Sequence, residues 1–430
     1  MERQRRLITN FNWVTRLRYQ LAGGCFFSIA LPFLYWSVRS GWENIITNPV
    51  FVNSFVGLFF MIVLGLLAYR RFSSFADLGS HSYVLWSFAG SLLVVILVFV
   101  LLRLSYSRET LVYGSTAMFV WFVGIHLIKR LYVQPLVALI PGGDVENLSS
   151  NQGAAVRLLL EPETKLKTRE ILVADLRTNF ERQWEEYIAD STLRGVPVYH
   201  YKQISEQLTG RVSIEHLSEN TFGSLLPNLL YLRIKLLLDR ILVLLLLPVL
   251  IPVMFLTSVI IYLNDGNPVF FKQKRMGYRG VIFTAYKFRT MSIDSKVSDD
   301  EGERVQLAMT REDDDRITSV GLFLRRTRLD ELPQIINILK GEMSWIGPRP
   351  EALPLSKMYE KELSFYKYRH AVRPGISGWA QVSQGHVSSV DEVREKLQYD
   401  FYYIKNVSAW LDILIAIKTV RTVIFGFGAR

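Results

Sequence analysis

The chain has 430 residues, half of them hydrophobic, with a mean hydropathy of +0.19; this is too long for one ordinary soluble domain and points to a membrane protein. A single cysteine, Cys25, excludes an internal disulfide framework. The net charge of +11 would suit nucleic acid, but residues 1–135 hold twelve Lys or Arg against four Asp or Glu, nearly all flanking apolar runs, so the cations read as topology signals.

Four apolar segments, at 19–38, 50–69, 84–102 and 112–128, each approach the ~20 residues that cross a bilayer. The first reads as a span rather than a cleavable signal peptide, because three more follow. With the N-terminus inside, Arg3, Arg5, Arg6, Arg16, Arg18, Arg70, Arg71, Lys129 and Arg130 are cytoplasmic, and only Arg39, Arg103 and Arg108 lie outside. Residues 1–135 are therefore expected to form a four-helix transmembrane bundle. Trp36, Trp42, Tyr69, Trp86, Tyr113 and Tyr132 stand near segment ends, as interfacial anchors do. His126 falls inside a span; it marks a polar pathway or simply packs between helices.

Residues 136–228 are mixed and polar. Leu136–Ile140, Ile171–Val173 and Val196–Tyr199 read as strands, and Phe180–Thr192 as a helix anchored by Trp184 and Tyr187. The alternation predicts a small α/β, degenerate Rossmann-like domain. Pro141-Gly142-Gly143 lacks the G-x-G-x-x-G spacing, so no bound cofactor is expected there.

From Leu229 the chain is strongly apolar again, with Pro248 and Pro252 inside the run Ile241–Leu263. Proline removes a backbone hydrogen bond and kinks a helix. Arg233, Lys235 and Arg240 precede the run and Lys272, Lys274, Arg275 and Arg279 follow it, so both ends ask for the cytoplasm. A re-entrant membrane helix broken at proline, at 236–263, satisfies both. Pro268–Phe271 then reads as a strand entering a basic turn, KQKRMGYRG, with Ile282–Phe288 returning. Asp294–Asp315 reads as a solvated acidic loop, with metal binding the minority alternative. Arg373–Trp379 reads as a loop around a Trp, Val390–Tyr403 as a charged helix, and Trp410–Ile424 as an amphipathic helix at the interface or in the core.

The candidate chemistry lies in Arg325–Pro350, RRTRLDELPQIINILKGEMSWIGPRP. Leu332, Ile335, Ile336 and Leu339 give a helix one apolar face, and Gly341 ends it. Thr327 with Asp330 fits a capping box, while a start nearer Asp330 would seat Pro333 in the tolerated first turn. Either way Asp330 and Glu331 stand at a helix N-terminus, where the dipole favours carboxylates and phosphates. An ordinary acidic first turn would look the same. Walker, zincin, paired C-x-x-C and G-x-S-x-G signatures are missing, and six scattered histidines do not make a zinc site. Magnesium needs only a carboxylate or two plus substrate phosphates, which Asp330 and Glu331 could supply. Lys274, Arg275, Lys287, Arg289, Arg326 and Arg349 suit a polyphosphate, although cations facing anionic lipid would read alike.

The blocks NPVFFKQKRMG at 267–277, YKFRTM at 286–291, LRRTRLDELPQIINILKGEMSWIGPRP at 324–350, RPGISGWAQV at 373–382 and KLQYDFYYIKNVSAWLD at 396–412 follow Lys235–Asp239 in one order. In these the chain from Tyr231 onward resembles the bacterial sugar transferases, the polyprenyl-phosphate hexose-1-phosphate transferases that prime surface-polysaccharide assembly. Four spans and a soluble linker domain resemble the long form of that family by layout.

The resemblance implies an α+β catalytic domain over 229–430, on the cytoplasmic face of the bacterial inner membrane. It implies that Asp330 attacks the β-phosphorus of a UDP-sugar, releases UMP and carries the sugar phosphate before undecaprenyl phosphate takes it. Glu331 is implied to assist proton transfer or shape the metal site, and Mg2+ to be held in part by Asp330. Arg275, Lys287, Arg289, Arg326, Arg349 and Gln381 fall at positions implied to bind substrate; Arg349, between two prolines, is the foremost. The expected partners are the UDP-sugar, undecaprenyl phosphate and the bilayer, with no nucleic acid and an open place for a homo-oligomer built through 136–228. Ile251 before Pro252 and Ser383-Gln384-Gly385-His386 depart from the family pattern, so the sugar is not named. A transferase moving the sugar alone, and a non-catalytic scaffold of a polysaccharide assembly complex, are the alternatives.

Overall fold

The computed structural model describes residues 16–73, 82–132, 136–145, 148, 155–162, 164, 166, 170–212, 227–292, 316–384 and 390–425. The chain divides into two compact units, Met1–Gly210 and Arg211–Arg430. Among the described residues five helices are long and apolar enough to cross a membrane, four of them before residue 133.

In the first unit α1 spans Leu17–Ser40 with a π-helical turn at Phe26–Ala30, followed by a short α2, Trp42–Thr47. The other apolar helices are α3, Pro49–Phe72, α4, Ser82–Leu101, and α5, Arg108–Tyr132. Asn48 caps α3 by accepting from the Val50 amide at 3.0 Å, and Pro49 takes the first helical position, where its missing N–H costs nothing. Their shared core holds Leu58, Met61, Ile62, Phe88, Met118 and Phe122. Gly65 permits the close approach of α4, since a Cβ there would lie 2.3 Å from the Phe88 ring. Leu67, Leu93 and Val100 point outward and stay exposed, as on a lipid-facing surface. His126 packs between helices, its Nδ1 3.4 Å from the Tyr69 hydroxyl.

The same unit carries a parallel sheet of β1, Leu136–Leu139, β2, Ala155–Leu158, β3, Ile171–Ala174, and β4, Val198–His200, in the order β2-β1-β3-β4. Helices α6, Arg182–Leu193, and α7, Tyr201–Thr209, accompany it. Val137, Leu139 and Val173 pack with Ile204 in one core, while Ala138, Leu172 and Ala174 pack with Trp184 and Tyr187 in another. Burial on both faces explains why these strands read as unbroken apolar runs. Strand β2 and helix α7 were not expected from the sequence.

The second unit opens with α8, Leu229–Asp265, a single helix that continues through Pro248 and Pro252, so the break at proline expected within 236–263 does not interrupt it. It is followed by the antiparallel ribbon β5, Phe270–Met276, and β6, Ile282–Phe288. Then come α9, Ser319–Thr327, a 3-10 stretch at Leu329–Gln334, and α10, Ile335–Lys340. Strand β7, Ser344–Ile346, is followed by α11, Leu353–Glu362, and β8, Gly375–Ser377, which pairs parallel to β7. Helices α12, Trp379–Ser383, α13, Val390–Lys405, and α14, Ala409–Phe425, end the unit.

Two expectations are corrected. KQKRM belongs to strand β5, and the turn is confined to residues 277–281; a two-stranded ribbon with open faces accepts charged side chains in the ladder. The residues around Trp379 are not a loop: they form β8 and α12, and the buried Trp379 stacks on Tyr402 with centroids 5.7 Å apart. The acidic stretch 294–315 and residues 385–389 lie outside the described residues.

Helix α8 lies along the second unit rather than projecting from it. Near its start Asp239 accepts from the Ser344 hydroxyl at 2.6 Å, and the Trp345 indole donates to the Asp239 carbonyl at 3.2 Å. Val243 packs with Phe283, Ile338 and Met343, and Ile261 with Phe288 and Leu324. At its end the Asp265 side chain accepts from Thr318 Oγ1 at 3.0 Å. The opposite face, with Leu245, Val249, Phe255 and Leu263, is exposed.

Candidate active site

Helix α9 begins at Thr318, whose hydroxyl accepts from the Gly321 amide at 2.9 Å, and ends at Arg328 in the left-handed region, φ 59°. The chain restarts as the 3-10 stretch carrying Asp330 and Glu331, and Pro333 lies within that stretch, ahead of α10. Of the two starts the sequence left open, the capping box at Thr327 does not form. Its hydroxyl donates back to the Phe323 carbonyl at 2.9 Å, and left-handed Arg328 separates it from the carboxylates. Gly341, φ 79°, closes α10 as anticipated.

Asn337 bolts α10 to the ribbon. Its amide nitrogen donates to the Thr284 carbonyl at 2.7 Å, and its side-chain oxygen accepts from the Tyr286 amide at 3.2 Å. The next residue of β6 is Lys287, so one buried asparagine sets the distance between this lysine and the carboxylates.

Lys287 Nζ lies 3.0 Å from Glu331 Oε1, and Arg349 Nη2 donates to the same oxygen at 2.8 Å. Arg328 Nη1 stands 3.9 Å from it. Asp330 is engaged far less: Lys287 is 3.9 Å from its Oδ2, while its buried Oδ1 has no hydrogen-bond partner among the described residues. A buried oxygen left this way costs on the order of 1–3 kcal/mol, a cost that a ligand can offset.

Electrostatics divides the pair the same way. Burial would raise the Glu331 carboxyl, but Arg349 and Lys287 overcome it and hold Glu331 well below the usual carboxylate range. Burial raises Asp330 above its ordinary value, the Glu331 charge adds to this, and Lys287 and Arg349 oppose it. Burial, helped by the nearby Arg349 and Arg275 and opposed by Glu331, brings Lys287 down to about 8. The arrangement is a locked anion beside a more basic, under-coordinated carboxylate, ringed by cations: a site suited to a charged electrophile.

The remaining expected residues separate. Arg275 donates to the Pro350 carbonyl and to Gln273 Oε1, and Arg369 donates to the Arg349 carbonyl at 2.8 Å. These two arginines hold the backbone from which Arg349 reaches Glu331. Arg369 is itself paired with Asp400 at 2.9 Å and lies 3.8 Å from Glu351, which Lys396 also engages. Arg289 is turned to the far end of α8, onto the carbonyls of Asp265 and Gly266. Arg326 is exposed on α9. Gln381 places its buried Oε1 beside Gly378, without a hydrogen-bond partner among the described residues. Arg328 was missed in the sequence because the signal is conformational: a left-handed non-glycine residue three positions before Glu331.

Residues 230–426 match the bacterial sugar transferase family. The UDP-N-acetylgalactosamine-undecaprenyl-phosphate N-acetylgalactosaminephosphotransferase of Aeromonas hydrophila is 40% identical over 411 residues, 95% of this chain and 94% of that protein. The UDP-glucose:undecaprenyl-phosphate glucose-1-phosphate transferase of Xanthomonas campestris pv. campestris is 44% identical over 192 residues, 44% of this chain and 38% of that one. Its namesake in Escherichia coli strain K12 is 39% identical over 184 residues, 42% and 38%. Similarity that extends through the N-terminal helices as well as the carboxylate site makes this chain a transferase, and it belongs to the bacterial sugar transferase family.

Proposed function

We propose that the protein transfers a sugar 1-phosphate from a UDP-sugar to undecaprenyl phosphate through a covalent intermediate on Asp330. The carrying observation is the under-coordinated, buried Asp330 beside a Glu331 fixed by Lys287 and Arg349. An oxygen of the Asp330 carboxylate attacks the β-phosphorus. The bond from that phosphorus to the bridging oxygen breaks, and UMP leaves with the electron pair. A phosphate oxygen of the lipid then attacks the same phosphorus, and Asp330 departs as a carboxylate. Two displacements replace one difficult step, and Lys287 and Arg349 offset the charge that develops on the transferring group.

Mg2+ fits this donor set: Asp330 offers an open oxygen, and a diphosphate with water would complete the shell, whereas Glu331 Oε1 is already held by two cations. Bound there, the ion would neutralise diphosphate charge. Glu331 keeps Lys287 and Arg349 aimed across the site.

The reading places α8 as a helix that enters and leaves the cytoplasmic leaflet. Support comes from its two ends, which bond to one unit through Asp239 and Asp265, and from cations flanking both. A helix that crossed the bilayer would carry those ends to opposite sides of it. The catalytic unit then sits at the inner surface of the bacterial cytoplasmic membrane, within reach of a soluble nucleotide and a lipid headgroup. The Aeromonas relative's name makes UDP-N-acetylgalactosamine the first donor to assay, with UDP-glucose second. The test is nucleotide analysis during turnover: UMP supports the proposal, UDP contradicts it, and wild-type turnover by Asp330→Ala would leave Asp330 and Glu331 as helix-capping groups only.

A further inference from the structure

Arg328 does not share the constraints of the other two cations on Glu331. Lys287 and Arg349 approach its carboxylate within hydrogen-bond distance, with side chains 15% and 25% exposed. The Arg328 side chain is 41% exposed and its guanidinium stops 3.9 Å short. It is therefore the most exposed of the three and makes no hydrogen bond to Glu331.

Its backbone is also unusual. Residue 328 has φ 59° and ψ 15°, a conformation that glycine adopts freely and other residues enter at a steric cost. It is the closing residue of α9, the position where glycine is the ordinary choice. A strained residue next to a reactive group points towards function when its side chain has something to do there. Here the strain turns a long cation towards the carboxylate pair, two residues before Asp330.

We propose that Arg328 is a further catalytic residue, whose guanidinium leaves the long approach to Glu331 and closes onto the phosphoryl group in transfer. This rests on the function proposed above and assigns that group a cation of its own. Two parallel N–H donors match two phosphoryl oxygens, and a cation that arrives with the substrate stabilises the transition state without adding to charge already balanced in the resting site. Lys287 and Arg349 stabilise that charge from their fixed places on Glu331, whereas Arg328 touches the reacting atoms.

The test is R328G in the full-length protein. Glycine removes the side chain and relieves the left-handed backbone, so the melting temperature should stay at or above the wild-type value while kcat falls about 100-fold. In R328K, which keeps a cation, kcat should fall less than in R328G. Millimolar guanidinium ion should restore turnover in R328G by about tenfold and leave the wild type unaffected, which no structural role for the side chain would produce. Wild-type turnover in R328G, or a loss that guanidinium ion does not reverse, would overturn the assignment. Failure of the underlying function would look different: wild-type protein would then release UDP or form no phosphosugar adduct, whatever stands at residue 328.

Discussion

Arg349 and Lys287 meet on a single oxygen, Glu331 Oε1, at 2.8 and 3.0 Å, and leave the neighbouring Asp330 Oδ1 open. Two adjacent carboxylates in one turn thereby differ, Glu331 holding two cations in place and Asp330 keeping a buried oxygen without a hydrogen-bond partner among the described residues.

The pH profile should show this division. Asp330 must be ionised to attack, so the acid limb of kcat/KM belongs to it and lies above the ordinary aspartate range, because burial and Glu331 both raise it. The basic limb should fall near pH 8, where the buried Lys287 loses its proton. In E331Q the charge that raises both groups is gone, so both limbs should move to lower pH. A profile whose limbs stay in place would contradict the coupling.

Replacing Arg349 by Met removes one of the two close cations and leaves Glu331 buried with a single near partner. Breaking a buried ion pair typically costs about 3–5 kcal/mol, and losing a charge-stabilising donor lowers kcat by about 100- to 1000-fold. Thermal unfolding in detergent and initial rates check the two effects separately. R369M should lower kcat less than R349M, since Arg369 holds the Arg349 carbonyl rather than the carboxylate, but it should cost at least as much stability, because it leaves the buried Asp400 without its cation.

Asp412 of α14 accepts from Tyr231 and Lys235 of α8 and, at 2.7 Å, from Tyr403 of α13. K235M leaves that carboxylate buried without its cation, and a loss of about 3 kcal/mol or more is expected. The double variant K235M/D412L removes both charges and should be more stable than K235M alone. A double variant weaker than either single would show that the charges are not a pair.

Topology can be read with single cysteines in a Cys25→Ser background. Val281 lies in the turn between β5 and β6 and is 66% exposed; Val38, near the C-terminal end of α1, is 90% exposed. An impermeant maleimide applied to intact cells should label Val38→Cys and spare Val281→Cys. Labelling of both would mean that α8 crosses the bilayer.

Much of this was legible in the sequence, for identifiable reasons. The apolar helices announce themselves because every lipid-facing position must be hydrophobic. Asp330, Glu331, Lys287 and Arg349 stand in dense blocks, and the structure draws these four together. Arg289 and Arg326 occupy the same blocks, yet one ties down the end of α8 and the other faces outward; residue type cannot tell a ligand-facing cation from one that satisfies carbonyls. Strand β7 has three residues and exists because Gly375 lets β8 come close, with a Cβ there only 2.1 Å from the Gly347 amide. No local periodicity reports a contact of that kind. The conformation of Arg328 was equally hidden, since nothing in its neighbours demands a positive φ.

The most direct measurement is the mass of the purified protein after incubation with a UDP-sugar and Mg2+ in the absence of lipid acceptor, followed by peptide mapping. A sugar phosphate on Asp330, absent in Asp330→Asn and discharged when undecaprenyl phosphate is added, is the predicted result. Lipid-linked product accumulating while Asp330 is never modified, even after rapid quenching, would contradict the account.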